Sequence, residues 1–396
     1  MENLNDDMRL EIFSRLPPLQ LLKCKLVCKN WENLLSLQKV GLLFLIEPSL
    51  RDRNLQLHFG DYEEIFSMSR SSGEEFTYQN LTKINHPAIN KRSCVLVDMM
   101  IGACNGLVCF CIPHNKIDDP VYICNPITTE YINLPRLLNH KNGYVKSGFG
   151  YHPLIDKYKV IRIHYPRSHD SQGVPITLGS VEVYTLGSGT GWRSIGEVTY
   201  DFSRSGVLAN GSLYWLDYKQ KRIVAFDLAD EEFRWLPTLP PCFNGNKKAT
   251  YHVKVLGGDL CLVHSEPYEP IDIWSFKNKE KKTDVHGDKE ERYQSWSWSL
   301  EFRIPCSLLH TKHYLYEPFA LTKKHQVLLW IHDSAIYCYD KKTESLNEVV
   351  GEDQNRMGLF QGIPHMNSLI SMKALGEKFK SRTHQKKEKK NRERIR

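Results

Sequence analysis

The strongest constraint on the fold is a degenerate repeat in the chain beyond residue 40. Residues 105–110 read NGLVCF, residues 210–215 read NGSLYW, and each run is followed by a second matching stretch. The second stretches begin at Asn125 and Asp227, and both carry an acidic residue, an aromatic residue, a leucine and a proline at the same offsets. Asn-Gly is a strong signal for a two-residue β-hairpin turn. Agreement at this many positions predicts a small antiparallel β-sheet in each repeat.

Weaker copies of this pattern run through the rest of the chain. β-prone stretches separated by turn residues lie at 55–59, 63–68, 181–195, 271–276, 296–304, 327–330, 335–339 and 345–350. Small repeated sheets of this size are typical of β-propeller blades, in which each blade buries both faces against its neighbours. About six blades fit between residues 42 and 375, and five or seven also fit. The apolar run 368–375 is predicted to pair with the first blade and close the ring.

The beginning of the chain has helical instead of strand periodicity. Residues 5–37 predict three short helices, with Asn5 or Asp6 capping the first and Pro17-Pro18 separating it from the second. So short a module cannot bury all of its large apolar side chains by itself. We expect the remainder to be covered by the neighbouring domain or by another protein. The predicted fold class is α+β multidomain, a small three-helix module followed by an all-β propeller-like domain of about six degenerate blades.

This N-terminal segment resembles an F-box along nearly its whole length, from Leu-Pro and paired leucines to the run VCKNW at 27–31. It departs from the pattern at Asn5, where the family usually has proline. The resemblance implies docking onto a Skp-type adaptor, which bridges to a cullin. Ile12 and Trp31 fit an internal core equally well. The positions that match the docking surface of the family are Leu4, Ile12, Leu16, Pro17, Leu21, Leu22, Val27, Cys28 and Trp31.

The rest of the chain is similar to the F-box-associated, kelch-like domain of plant proteins between about residues 100 and 350. The phrases that carry the resemblance are GFGYHP at 148–153, VEVY at 181–184 and NGSLYW at 210–215. The resemblance implies a propeller that recruits a protein substrate, without indicating which loops bind it. Most large aromatic side chains are predicted to be blade core, with one or two reaching the rim as a ligand platform. The candidates are Tyr251, Trp274, Trp296, Trp298 and Trp330.

Together these resemblances imply a substrate-recognition adaptor of a Skp–cullin–F-box ubiquitin ligase. The predicted domains are the F-box at 1–45, the propeller at 46–375 and a disordered basic tail at 376–396. We expect the chain to be a non-catalytic subunit without a cofactor. The alternative is a non-catalytic propeller scaffold that associates with nucleic acid through its tail.

The positive charge of the chain is concentrated in that tail. Residues 373–396 contain eleven Lys and Arg and three acidic residues, so their excess exceeds the net charge of +7 for the whole chain. The folded body is therefore close to neutral, and nucleic acid is not expected as its main partner. Lys386, Lys387, Lys389 and Lys390 form a candidate nuclear-import signal. A contact with an acidic surface and a solvated tail without a partner are the other interpretations.

Other kinds of site are poorly supported by the sequence. The eleven cysteines include no Cys-x-x-Cys pair, which favours reduced thiols in a cytoplasmic or nuclear protein. His310 and His313 lack a carboxylate at metal-binding spacing, so we expect no metal site. The glycines of 187–191 precede a β-prone run instead of a helix and predict a hairpin turn. The apolar run 40–46 is far shorter than the roughly 20 residues of a membrane span, and no membrane partner is expected.

Overall fold

The computed structural model is nearly all-β in the parts of the chain that it describes. The described residues are 4–5, 8–9, 12–13, 24, 27–28, 31, 40–46, 55–61, 65, 81–84, 99–114, 117–137, 143–167, 177–243, 248–278, 295–309, 316–331, 335–350, 360–368, 370–378 and 380–381.

Six antiparallel sheets form the six blades of a propeller. The strands of the first half are β1 (Val40–Ile46), β2 (Gln56–Asp61), β3 (Thr82–Ile84), β4 (Met100–Cys104), β5 (Leu107–His114), β6 (Ile117–Cys124), β7 (Glu130–Asn133), β8 (Tyr144–His152), β9 (Lys157–Tyr165), β10 (Gly179–Thr185) and β11 (Trp192–Val198). Those of the second half are β12 (Val207–Ala209), β13 (Ser212–Asp217), β14 (Arg222–Asp227), β15 (Phe233–Trp235), β16 (Thr250–Leu256), β17 (Asp259–Ser265), β18 (Ile271–Asn278), β19 (Trp296–Ile304), β20 (Tyr316–Leu321), β21 (Val327–Ile331), β22 (Ile336–Asp340), β23 (Ser345–Val350), β24 (Phe360–Met366) and β25 (Lys380–Ser381). A 3-10 helix, Cys306–Leu308, precedes β20.

The blades are arranged around a ring of six innermost strands. These are β24, β4, β8, β12, β16 and β20; each contacts the next, and β20 returns to β24. One hydrophobic cluster fills each space between neighbouring blades. Between blades 3 and 4, for example, Ile161 and Val181 pack with Leu213, Trp215 and Phe226. The predicted number of six blades is therefore confirmed.

The first blade combines strands from both ends of the chain and closes the ring. β24 pairs antiparallel with β1 along its full length, from Val40 opposite Met366 to Ile46 opposite Phe360. The prediction that residues 368–375 close the ring is wrong. The edge of β1 that does not pair with β2 already pairs with β24. The residues that follow β24 contact blade 2 and the cluster between blades 2 and 3 instead. The predicted domain limit between residues 45 and 46 falls within β1 and remains a prediction.

The turn chemistry explains the repeat that the sequence shows. Asn105 and Asn210 have φ of 47° and 48°, and each is followed by a glycine that also has positive φ, as a type I′ hairpin turn requires. The second part of the repeat caps another turn. Asn125 Oδ1 accepts from Ile127 N at 2.9 Å, and Asp227 Oδ1 accepts from Ala229 N at 2.8 Å. Short side chains that bond to the backbone two residues ahead are typical of Asx-turns.

The ring has two ends, which we name by the position of the N-terminus. The proximal end carries the first and third hairpin turns of the blades, and β1 begins and β24 finishes there. The distal end carries the middle hairpin turns and the connections between successive blades. The segment before β1 therefore joins the propeller at its proximal end.

Residues 367–381, which we name the C-terminal strap, cross the proximal end of blade 2. Asn125 Nδ2 donates to the carbonyl oxygens of Ser368 and Ile370, both at 2.9 Å. Ile370 and Met372 are fully buried in the cluster between blades 2 and 3. β25 then pairs with β7, so the strap fastens the last described residues to the outer edge of blade 2.

The strap continues past the predicted start of the tail at residue 376. Glu377 Oε1 accepts from Gly187 N at 2.8 Å, and Tyr184 Oη donates to the same carboxylate at 3.2 Å. These contacts lie in the turn between β10 and β11, where the sequence predicted a glycine-rich hairpin and not a phosphate loop. The structure confirms the hairpin, since β10 pairs antiparallel with β11. The backbone N–H of its first glycine, Gly187, donates to Glu377.

The predicted α+β class is wrong for the described part of the chain. Its residues contain no helix of seven or more residues, and no three-helix module is seen. Helical assignments before β1 cover single residues or pairs, while most of 5–37 lies outside the described residues. Helical periodicity alone does not fix a helix this short, because short helices depend on packing for their stability. The described architecture is a six-bladed propeller and belongs to the all-β class.

Candidate interaction sites

Five of the nine residues predicted to meet a Skp-type adaptor are described. Leu16, Pro17, Leu21 and Leu22 lie outside the described residues. Val27 is 61% exposed and Cys28 is also exposed, whereas the remaining three are half-buried. These three are Leu4, Ile12 and Trp31. Val27 and Cys28 are therefore accessible to a partner, and all nine assignments remain predictions.

Trp31 has an internal contact. Its ring packs edge-on against Phe13 with the ring centroids 5.0 Å apart, and Phe13 is fully buried. This contact fits the interpretation in which Trp31 belongs to the core of the N-terminal segment. Asn5 acts as the predicted cap, because its Oδ1 accepts from Met8 N at 2.9 Å. The asparagine that departs from the F-box pattern thus has a local structural function.

A carboxylate and basic groups from three consecutive blades meet at the distal end. Glu317, on the innermost strand of blade 6, accepts from Arg204 Nη1 at 2.7 Å. Arg204 belongs to the connection that leads into blade 4. Lys254, on the innermost strand of blade 5, donates to the same carboxylate oxygen. We name these residues, together with the neighbouring His252, the channel mouth, because His252, Lys254 and Glu317 lie on innermost strands of the ring.

The electrostatics of the channel mouth are dominated by its cations. Burial acts to raise the pKa of Glu317, but Lys254 and Arg204 outweigh it and hold that pKa well below its usual value. Burial lowers the pKa of His252 to about 3, and the charge of Arg204 acts in the same direction. His252 is therefore neutral at physiological pH. The carboxylate of Glu317 thus accepts hydrogen bonds from two basic side chains, Arg204 and Lys254.

An exposed basic turn lies beside the channel mouth, because Tyr218 Oη donates to the carbonyl oxygen of Tyr251, the residue before His252. The turn joins β13 to β14 and, together with the first residue of β14, reads Tyr218-Lys219-Gln220-Lys221-Arg222, which we name the basic turn. The buried Asp217 fixes its shape, since Asp217 Oδ1 accepts from the backbone N–H groups of Lys219 at 3.1 Å and Gln220 at 3.4 Å. No carboxylate of the described residues forms an ion pair with Lys219, Lys221 or Arg222.

Two exposed aromatic rings also lie at the distal end. Trp235 is 55% exposed, and the guanidinium of Arg222 lies 4.7 Å from its ring centroid. Tyr144 stacks on Tyr165 with centroids 4.9 Å apart, and the ammonium of Lys146 lies 5.5 Å from the Tyr144 centroid. The faces of these exposed rings are thus partly covered by cations or by another ring.

The aromatic residues predicted as ligand-platform candidates do not form this rim. Tyr251 and Trp330 are buried, and Trp274, Trp296 and Trp298 are half-buried. The basic turn was missed, although its sequence carries a local signal: three basic residues and a tyrosine follow an aspartate between two β-prone runs. The Arg204–Glu317 contact has no such signal, because 113 positions separate the two residues.

Other candidate sites are absent or lie outside the described chain. Within the described ranges, no group of three or more His, Cys, Asp or Glu side chains is placed to hold a metal ion. Among the same residues, no helix is long and apolar enough to cross a membrane. His310, His313 and the basic cluster Lys386, Lys387, Lys389 and Lys390 are outside the described residues.

Comparison with known proteins supplies matches along nearly the whole chain. The family model of the F-box associated beta propeller domain matches residues 54–361, and that of the F-box domain matches residues 1–42. F-box protein At3g07870 of Arabidopsis thaliana is 30% identical over 77% of this chain and 73% of its own length. F-box/kelch-repeat protein At3g23880 of the same plant is 27% identical over 76% and 80%. The Arabidopsis F-box protein CPR1 is 25% identical over 88% and 84%.

Proposed function

Because this chain belongs to the family of F-box proteins that carry an F-box associated β-propeller domain, we propose that it is the substrate-recognition subunit of a Skp–cullin–F-box ubiquitin ligase. The single observation that carries this proposal is the union of an F-box match at 1–42 with a closed propeller behind it. The F-box segment would bind the Skp-type adaptor and through it the cullin. The propeller would bind the protein substrate.

The structure supports different roles for the propeller and the N-terminal segment. The ring closes within its own chain through β24 and β1, so the propeller needs no second protein to complete its sheets. The N-terminal segment, in contrast, exposes apolar side chains, among them Val27 and Met8. An exposed apolar surface in a soluble protein is typical of a protein–protein contact.

The proposed subunit contributes no catalytic residue to ubiquitin transfer. It would act by holding a substrate lysine near the ubiquitin carrier, which converts an encounter in solution into a reaction within one assembly. Such a rise in effective concentration requires only two binding surfaces on one chain. The proposed site of action is the cytoplasm, the nucleus or both.

Co-purification with a Skp-type adaptor tests the proposal. The variant Leu16→Asp/Leu21→Asp places charges on two predicted docking positions, and we expect it to abolish adaptor binding. Leu154→Asp is the control, because Leu154 is 76% exposed on a propeller turn. It should keep adaptor binding and the same far-ultraviolet circular dichroism spectrum. The proposal fails if the double variant binds as well as the control, or if the unaltered chain does not bind a Skp-type adaptor.

A further inference from the structure

We propose that the distal end of the propeller binds an acidic segment of the substrate, with the basic turn and the channel mouth as the cationic surface. This inference rests on the proposed function and specifies the chemistry of its substrate. The observations behind it are the unpaired charge of the basic turn, the way the channel mouth already binds a carboxylate, and the position of both at one end of the ring.

The first observation is a local excess of positive charge. Lys219, Lys221 and Arg222 are exposed, and none of them forms an ion pair with a described carboxylate. Asp217, directly before them, is buried and points its Oδ1 at the backbone of the turn. Its bonds stabilise this conformation of the turn. A rigid cationic loop binds an anionic partner with little loss of conformational entropy.

The second observation is that the basic side chains of the channel mouth already hold a carboxylate of the chain itself. Arg204 and Lys254 both donate to Glu317, so the cations are held in a geometry that suits a carboxylate oxygen. The Arg204 side chain is still 33% exposed. Acidic side chains of a partner laid across the mouth would extend this arrangement outward to the basic turn.

The rim favours an acidic peptide over single-stranded nucleic acid. Binding of single strands relies on aromatic faces on which the bases stack. Here Arg222 covers a face of Trp235, and Tyr165 covers a face of Tyr144. The hydroxyl of Tyr218 donates to Tyr251 O at 2.7 Å, which orients this ring as well. The available groups are cationic heads and ring edges, which match carboxylates and apolar side chains.

The third observation concerns the use of the two ends. The strap crosses the proximal end, and the N-terminal segment joins the ring there at Val40. Within the described part of the chain, the strap and the start of β1 lie at the proximal end and not at the distal end. A substrate bound at the distal end would therefore not compete with the strap.

The test measures binding of two labelled peptides to the full-length protein in complex with its Skp-type adaptor. One peptide is rich in glutamate with interspersed leucine, and the other replaces each glutamate by lysine. Fluorescence anisotropy gives the dissociation constants. The test variant is Lys219→Glu/Lys221→Glu on the distal end. The matched control, Lys324→Glu/Lys342→Glu, makes the same change of charge at exposed turns of the proximal end.

We expect the glutamate peptide to bind the unaltered protein and to lose about tenfold in affinity with the distal variant. The proximal control should stay within about twofold, and added salt should weaken binding because the contacts are solvent-exposed. Equal losses with both variants, or no binding of the glutamate peptide, would overturn the proposal. A single-stranded oligonucleotide that binds more tightly and responds to the same distal variant would assign the surface to nucleic acid instead. Adaptor binding is read separately, so a failed proposal here leaves the ligase assignment intact.

Discussion

Replacing the amide of Asn125 by a carboxylate should weaken the attachment of the C-terminal strap to blade 2. The side chain is fully buried, and its oxygen and nitrogen form hydrogen bonds with different parts of the chain. Oδ1 caps its own turn by accepting from Ile127 N and Thr128 N, whereas Nδ2 donates to the carbonyls of Ser368 and Ile370. Asn125→Asp keeps the acceptor and the shape but removes both donors. It also places a carboxylate against two carbonyl oxygens.

The size of the effect follows from these contacts. The loss of two hydrogen bonds should lower the free energy of unfolding by about 1 kcal/mol each. The buried, unpaired carboxylate should bring the total decrease to about 3–5 kcal/mol. The matched control is Asp227→Asn, at the equivalent position of blade 4. Its Oδ1 accepts from Ala229 N and Asp230 N, which an amide oxygen also does. We expect the control to change the free energy of unfolding by less than about 1 kcal/mol.

Urea unfolding followed by tryptophan fluorescence measures the difference between these variants. Trypsin cleavage after Lys373 adds a local readout, because this exposed residue lies in the strap. The introduced carboxyl is buried beside acceptors, so its pKa in the folded state is raised. The loss should therefore shrink as the pH is lowered, when the protonated carboxyl can donate to one carbonyl. Equal unfolding midpoints for the two variants, or a loss that persists unchanged in acid, would refute this reasoning.

Three further predictions concern other parts of the molecule. Glu317→Gln should lower the free energy of unfolding at neutral pH by about 1.5–3 kcal/mol, measured by urea unfolding, because bonds to a charged group are weakened. The pKa of Glu317 is lowered in the folded state. The difference in free energy of unfolding between the unaltered protein and the variant should therefore be present above the ordinary pKa range of a carboxyl group, and it should vanish as the pH falls through the folded pKa. A difference that does not depend on pH would contradict this prediction. Replacing Lys386, Lys387, Lys389 and Lys390 by Gln should reduce nuclear accumulation of a fluorescent fusion without affecting adaptor binding, and unchanged localisation would exclude the import signal. Glu377→Ala should lower stability by about 1–2 kcal/mol in thermal unfolding, since it removes the bonds to Gly187 N and Tyr184 Oη, whereas Glu344→Ala in another proximal turn should have no comparable effect.

The parts of the fold that depend on local chemistry could be predicted from the sequence. The Asn-Gly pairs mark hairpins because both residues adopt positive φ there, and Asn125 and Asp227 mark capped turns. The strand at 296–304 was predicted with the limits it has in the structure. These features arise within a few residues, so they remain visible in a single sequence.

The features that join distant parts of the chain could not be predicted. β24 contains Gly362 and Pro364, which disfavour a strand interior, and it forms only because β1 offers an edge at the other end of the chain. The strap likewise depends on carbonyls meeting Asn125 from 243 positions away. At the candidate site, the basic turn is a local feature, whereas the channel mouth exists only once three blades stand side by side.

The pairing of β24 with β1 has a consequence for how the protein is made. A ribosome releases β1 before the other strands and β24 only after β23, so one edge of β1 stays unpaired while blades 2 to 6 are made. Exposed strand edges promote aggregation, which makes this interval one in which chaperones are needed. A chain that ends before Phe360 contains all strands of blades 2 to 6 but lacks β24, so its ring cannot close. Stop codons that remove β24 should therefore behave as losses of the whole propeller.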